Sequence, residues 1–235
     1  MKATAGKRTA RAPALALFDI DGTLLRRSGL HHREALVEAI RKTTGLATTT
    51  DRIPLFGTLD PVIIAEMLRR AGAPEAEIRA AMPEVMRRAQ SIYARTCPNL
   101  ERKTCPGTRR LLGRLKRRGI VMGLVTGNLT RIGWKKMERA GLKEYFRFGA
   151  FGEMAENRAG LVRLAKEEAR RRNWIDSGTP ASFVGDAPND ILAAQAAGAR
   201  SIAVATGVVP VEELRAYSPD YLLEDLRALK VEMLL

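Results

Sequence analysis

The chain is poor in the residues that build disulfide frameworks and zinc sites. Its 235 residues include two cysteines, Cys97 and Cys105, and two histidines, His31 and His32. With no second cysteine pair and no histidine at ligand spacing, a zinc finger is excluded. Free thiols in a reducing compartment are the simpler expectation, although spacing alone leaves a Cys97–Cys105 disulfide open. Aromatic residues make up only 5%, so aliphatic side chains must build the core and stacking platforms for single-stranded nucleic acid are few. No stretch approaches the roughly 20 apolar residues that span a bilayer. The apolar run from Pro13 to Phe18 is too short for a signal-peptide core and ends at Asp19, so a cytoplasmic protein is expected. Residues 1–11, with Lys2, Lys7, Arg8 and Arg11, read as a flexible basic tail. Within it, Ala5-Gly6-Lys7-Arg8 lacks the upstream glycine and the following hydroxyl of a phosphate-binding loop. Acidic residues are also in deficit, 26 against 40 Lys plus Arg, for a net charge of +14. Either an anionic partner or solvated Arg-rich helix faces would account for this. Pairs such as Arg69-Arg70 and Arg87-Arg88, within helical stretches, favour the second.

What the chain does contain is 46% hydrophobic residues, enough for a substantial core. Its length fits one large domain or one domain with an insertion. Short apolar runs at 14–18, 120–125, 148–151, 181–184 and 201–205 alternate with helical patterns near 106–119, 131–140, 158–172 and 189–198. That alternation predicts an α/β fold, a Rossmann-like parallel sheet with helices on both faces. Residues 29–103 break it. They carry helical patterns at 33–41, 61–71 and 75–95 without a convincing strand, which predicts an inserted α-helical domain. The expected partition is a sheet domain from 12–28 and 104–235, with the insertion between.

Four polar clusters each follow an apolar strand, and the carboxyl ends of parallel strands converge on one crevice. The first is Asp19-Ile20-Asp21-Gly22-Thr23. Two carboxylates on one side of a strand end repel unless a cation separates them, and Mg²⁺ takes oxygen ligands. The second is Thr126-Gly127-Asn128, whose hydroxyl can donate to a phosphate oxygen, although Thr-Gly is also an ordinary strand-to-turn junction. The third is a basic residue after the third strand. Arg158 is the candidate, since a guanidinium can hold phosphate oxygens bidentately, with Arg163 and Lys166 as rivals. The fourth is Gly185-Asp186-Ala187-Pro188-Asn189-Asp190, whose two carboxylates can share a cation or orient its waters. His31 and His32 read as solvated loop residues. Asp60, in Phe56-Gly57-Thr58-Leu59-Asp60, reads as a cap for a helix beginning at Pro61.

These four clusters, in this order, resemble the haloacid dehalogenase-like (HAD) superfamily. Leu17-Phe18-Asp19-Ile20-Asp21-Gly22-Thr23-Leu24 is similar to its first motif at every key position, and Gly185 to Ala199 to its fourth motif and following helix. The resemblance implies a phosphoric monoester hydrolase acting on a small phosphorylated metabolite with Mg²⁺. It implies Asp19 as nucleophile and Asp21 as acid and base. Thr126, Gly127, Asn128 and Arg158 would bind the substrate phosphate. Asp19, Asp186 and the backbone carbonyl of Asp21 would hold the metal, supported by Asp190. Residues 29–103 resemble the family's C1-type cap, and Gly57 to Asp60 resembles a loop of its phosphoglycolate-phosphatase-like members. Arg158 departs from the lysine that is common at the third motif. A dehalogenase reaction is disfavoured, because that branch lacks the second acid that Asp21 supplies. A phosphomutase stays open. So does a basic nucleic-acid-binding protein on an inactive fold, which the intact acids and the absence of a DNA-reading motif disfavour. The sequence leaves open whether the chain is a monomer or a dimer.

Overall fold

The computed structural model describes residues 11–26 and 30–235. The expected tail, apart from Arg11, and the junction at 27–29 lie outside the described residues. Six strands form one parallel sheet: β1 (Leu15–Phe18), β2 (Val121–Val125), β3 (Phe148–Ala150), β4 (Ala181–Gly185), β5 (Arg200–Val204) and β6 (Tyr221–Leu223). Their order is β3-β2-β1-β4-β5-β6, so the first strand in the chain lies between β2 and β4. The α/β architecture is as expected. The difference is β6 and the helix before it, α8 (Val211–Ala216), which the apolar pattern did not mark. Tyr221–Leu223 is a three-residue edge strand, only half-buried, so it carries little apolar signature.

Strand β1 reads as a continuous apolar run because both faces of the sheet are covered. Ala16 and Phe18 join a core with Leu111, Leu112, Met122 and Ile132. Leu15 and Leu17, pointing the other way, join Val121, Val125, Leu161, Val162 and Phe183. Helices α4 (Thr108–Arg117) and α5 (Thr130–Arg139) thus cover one face, and α6 (Arg158–Arg171) and α7 (Pro188–Ala196) contribute to the other. Full burial of a side chain such as Phe18 is worth about 1.5–3 kcal/mol.

Between β1 and β2 lie three helices: α1 (His31–Thr44), α2 (Asp60–Arg70) and α3 (Glu75–Thr96). They bury Leu36, Ala39, Ile40, Ile64, Met67, Leu68, Val85, Ala89 and Tyr93, and this apolar cluster runs without a break into the face of the sheet that holds Phe18. Helix α1 ends at Gly45, which takes the left-handed conformation that closes a helix. The insertion also meets the loops at the sheet's carboxyl edge. Asp60 N donates to Gly127 O at 2.8 Å, and Asn189 Nδ2 donates to Gly57 O at 3.1 Å.

Candidate active site

Register brings the first and fourth clusters together. Phe18 lies opposite Leu124 on one side and Val184 on the other, so the next residues of all three strands emerge at one level. Carboxylate oxygens of Asp19, Asp186 and Asp190 lie within 4.8 Å of one another, and all three residues are buried. Residues far apart in the chain therefore meet, as the strand-end argument expected. Burial and the nearby charges of Asp190 and Asp21 push Asp19 up to about 7, against the lowering effect of Arg158. Burial, with Asp19 and Asp190 beside it, holds Asp186 well above the usual carboxylate range. Three buried carboxylates under this strain suit a divalent cation, whose charge would offset their repulsion.

Asp186 is gripped on several sides. Thr23 Oγ1 donates to its Oδ1 at 2.9 Å. A Cβ on Gly22 would lie 2.0 Å from Asp186 Oδ2, and one on Gly207 would lie 1.9 Å from it. Both positions must therefore lack a side chain for the carboxylate to stand where it does. Gly22 also has φ +93°, a conformation glycine adopts without strain. Thr206 Oγ1 donates to Gly22 O at 2.5 Å, tying this turn to the loop after β5. Thr206 and Gly207 were not predicted, since a Thr-Gly pair after a strand is an ordinary turn.

Arg158, the expected third-motif residue, is buried and reaches this cluster. Its Nη2 lies 2.7 Å from Asp19 Oδ1, and its Nε pairs with Asp190 Oδ1. Both are charge contacts lacking hydrogen-bond angles. Burial disfavours its charge, but Asp19, Asp190 and Asp186 more than offset that and raise its pKa. The side chain of Asn157 caps α6 by accepting from Gly160 N at 2.9 Å, which sets Arg158 at the first helical position. The rivals lie elsewhere: Arg163 bonds Ala196 O, and Lys166 bonds Ala197 O and Gly198 O. Asp190 Oδ2 accepts from the backbone of Asp186 at 3.1 Å and of Ala187 at 3.0 Å, so it braces the loop that presents Asp186.

Around Asp21 the structure adds residues that the sequence reading missed. Lys136, on α5 and 1% exposed, places Nζ 2.5 Å from Asp21 Oδ2. Asn128 Nδ2 donates to the same oxygen at 2.9 Å. Burial alone would raise Asp21, but Lys136, His32 and Asn128 together hold it below its ordinary value. His32 corrects an expectation. It lies in α1, only 17% exposed, with Nε2 2.9 Å from Asp60 Oδ2. Asp60 corrects another: it is buried, makes no cap bond to its own helix, and instead accepts from Leu129 N at 2.9 Å. His31 opens α1 rather than lying in a loop, and its side chain stays exposed beside Glu34. The lysine in Trp134-Lys135-Lys136 carried no local signal beyond a charged helix face. Only the period that puts residue 136 on the side of Ile132, Gly133 and Met137 marks it as inward.

These groups line one cavity of about 270 Å³, which holds Asp19, Asp21, Thr126, Gly127, Asn128, Arg158 and Asp186 from the sheet edge. The inserted helices and their loops contribute His32, Arg33, Phe56, Thr58 and Asp60. Gly127 lets the two sides close, since a Cβ there would lie 2.3 Å from Thr58 O. Cys97 and Cys105 are both free thiols, and burial pushes Cys105 up to about 11.

The family model for haloacid dehalogenase-like hydrolases matches residues 13–198. The chain belongs to that family. This HAD-like hydrolase is 31% identical over 231 residues to a phosphoglycolate phosphatase of Agrobacterium fabrum, covering 92% of this chain and 90% of the relative. Among solved structures, a CbbY variant of Rhodobacter sphaeroides in complex with xylulose-(1,5)bisphosphate superposes with a TM-score of 0.69 at 24% identity, covering 94% and 98% of the two chains. A β-phosphoglucomutase of Clostridium difficile superposes at 0.67 and 19%, covering 93% and 94%. These two likenesses speak for the fold. Family membership makes the chain an enzyme, and its curated relatives place it among the HAD phosphatases.

Proposed function

We propose that this HAD-like phosphatase hydrolyses a small phosphate monoester with Mg²⁺, through an aspartyl phosphate formed on Asp19. The convergence of Asp19, Asp186 and Arg158 within one cavity, beside Asp21, carries the reading. Asp19, Asp186 and the backbone carbonyl of Asp21 are the groups that would hold the ion. Asp190 is already committed to Arg158 and to two backbone N–H groups, and serves as their brace. When bound, Mg²⁺ neutralises charge on the transferring phosphoryl oxygens.

In the first step an Asp19 oxygen attacks phosphorus, the bond to the ester oxygen breaks, and that oxygen leaves with the electron pair. Asp21 gives it a proton. In the second step water attacks the phosphorus of the acyl phosphate, Asp21 takes the water's proton, and Asp19 is restored as inorganic phosphate departs. Arg158 and Thr126, with Gly127 and Asn128, are assigned to the phosphate. Residues 29–103 act as a cap that excludes bulk water. The cavity, just below the usual range of about 300–1,000 Å³ for ligand sites, favours a metabolite of a few carbons. A phosphoglycolate-like ester is the first substrate to try, in keeping with the relative so named. A cytoplasmic setting fits such a substrate.

The test is phosphate release over a panel of phosphorylated metabolites, with Mg²⁺ and EDTA arms and an Asp19→Asn control. Metal-dependent turnover lost on Asp19→Asn supports the reading. Turnover that survives that substitution defeats it.

A further inference from the structure

We infer that Lys136 and His32 are positioning residues for Asp21, tying the acid/base carboxyl to the inserted helices. This rests on the phosphatase reading above. An ammonium has three donors and no acceptor, and Lys136 is buried, so each N–H needs a partner. Three are present: Asp21 Oδ2 at 2.5 Å, Asn128 Oδ1 at 2.6 Å and His32 Nδ1 at 3.3 Å. Because the ammonium only donates, His32 Nδ1 accepts. The ring proton is then on Nε2, which donates to Asp60 Oδ2 at 2.9 Å. Asp60 Oδ2 also accepts from Leu129 N, back on the sheet domain.

The bonds thus run from Asp21 through Lys136 to α1, across to α2, and back to the start of α5. Helix α3 joins them through Tyr93, whose ring centroid lies 5.9 Å from Lys136 Nζ and 5.6 Å from that of His32. Helices α1 and α3 therefore meet the lysine directly and α2 reaches it through His32, while that lysine, with Asn128, holds Asp21 Oδ2. The orientation of the Asp21 carboxyl depends on where the insertion sits. Neither residue is assigned a proton-transfer role of its own; both act through Asp21.

The experiment compares Lys136→Met and His32→Gln with the parent on phosphoglycolate and p-nitrophenyl phosphate. The first ester's alkoxide needs a proton as it leaves, whereas p-nitrophenolate does not. Since general acid–base catalysis contributes on the order of 10²–10⁴-fold, kcat/KM for phosphoglycolate should fall by roughly 10²-fold in Lys136→Met and roughly 10-fold in His32→Gln. The nitrophenyl ester should change by less than about 3-fold. The double variant Asp21→Asn/His32→Gln should be no worse than Asp21→Asn alone. Equal losses on both esters, undiminished phosphoglycolate turnover, or a His32→Gln loss that persists on top of Asp21→Asn would overturn the assignment. If Lys136→Met does not fold, the half-buried His32→Gln decides alone. A parent chain that hydrolyses neither ester with Mg²⁺ overturns the phosphatase reading, and this one with it.

Discussion

At the residue scale, Asp19 and Asp186 bind protons more tightly folded than unfolded, Asp19 near 7 against an ordinary 3.8. The contribution of Asp19 to the metal-free stability is present below about 4 and is lost as pH rises through about 7, and that of Asp186 has the same sign. A divalent ion reverses the sign, because it binds the deprotonated carboxylates and releases their protons. Mg²⁺ affinity, measured by calorimetry, should therefore rise from pH 5 to pH 7.5; affinity that does not change with pH would contradict this. Asp21 has the opposite sign, with a lowered pKa, so its contribution is lost as pH falls. Gly207 offers a second residue-level check. An alanine there puts a methyl group 1.9 Å from where Asp186 Oδ2 now stands, so the carboxylate must move. Gly207→Ala should weaken Mg²⁺ binding at least 10-fold, since repositioning a ligand costs about that much. An unchanged Mg²⁺ titration would show that the loop yields instead.

At the element scale, each motif is delivered by the end of a regular element. Helix α6 presents Arg158 because Asn157 caps it. Asn157→Ala should cost about 1 kcal/mol, which lowers the melting temperature by roughly 2–4 °C in a domain of this size. Phosphate affinity should drop alongside, as the first turn that holds Arg158 frays. The exposed helix faces follow a rule of their own. Glu38, Glu66, Glu84 and Glu168 each sit between basic residues three and four positions on: Arg41 and Lys42, Arg69 and Arg70, Arg87 and Arg88, Arg171 and Arg172. The paired arginines in the sequence are thus ion-paired on exposed helix faces. Exposed pairs of this kind add little to stability, so moderate salt should barely shift the melting curve.

At the scale of the whole molecule, the candidate metal site joins strands whose residues are distant in sequence, so ion binding is linked to global folding. Mg²⁺ at 100 times its dissociation constant should stabilise the folded chain by about 2.7 kcal/mol, raising the melting temperature by roughly 5–11 °C. EDTA should abolish the gain, and Asp186→Asn should remove most of it. A melting curve indifferent to Mg²⁺ would rule out the cation site. Among the described residues no helix is long and apolar enough to cross a membrane.

Much of this protein was legible in the linear chain. Asp19 and Asp186 sit directly beyond apolar strands, with Asp21 two residues and Asp190 four residues further on, and a buried strand must release its chain at the sheet edge, where polar groups are tolerated. The parallel sheet and the helical insertion followed from periodicity for the same reason, because burial imposes a period on sequence. Folding in space decided the rest. Lys136 reads as one more charge on a basic helix, His32 as a solvated ring and Asp60 as a helix cap. Each becomes an internal partner only when α1, α2 and α5 meet. Gly207 is an ordinary turn residue until Asp186 arrives beside it. Local pattern records which residues avoid water; which polar atoms face one another depends on contacts between distant segments, which no local pattern encodes.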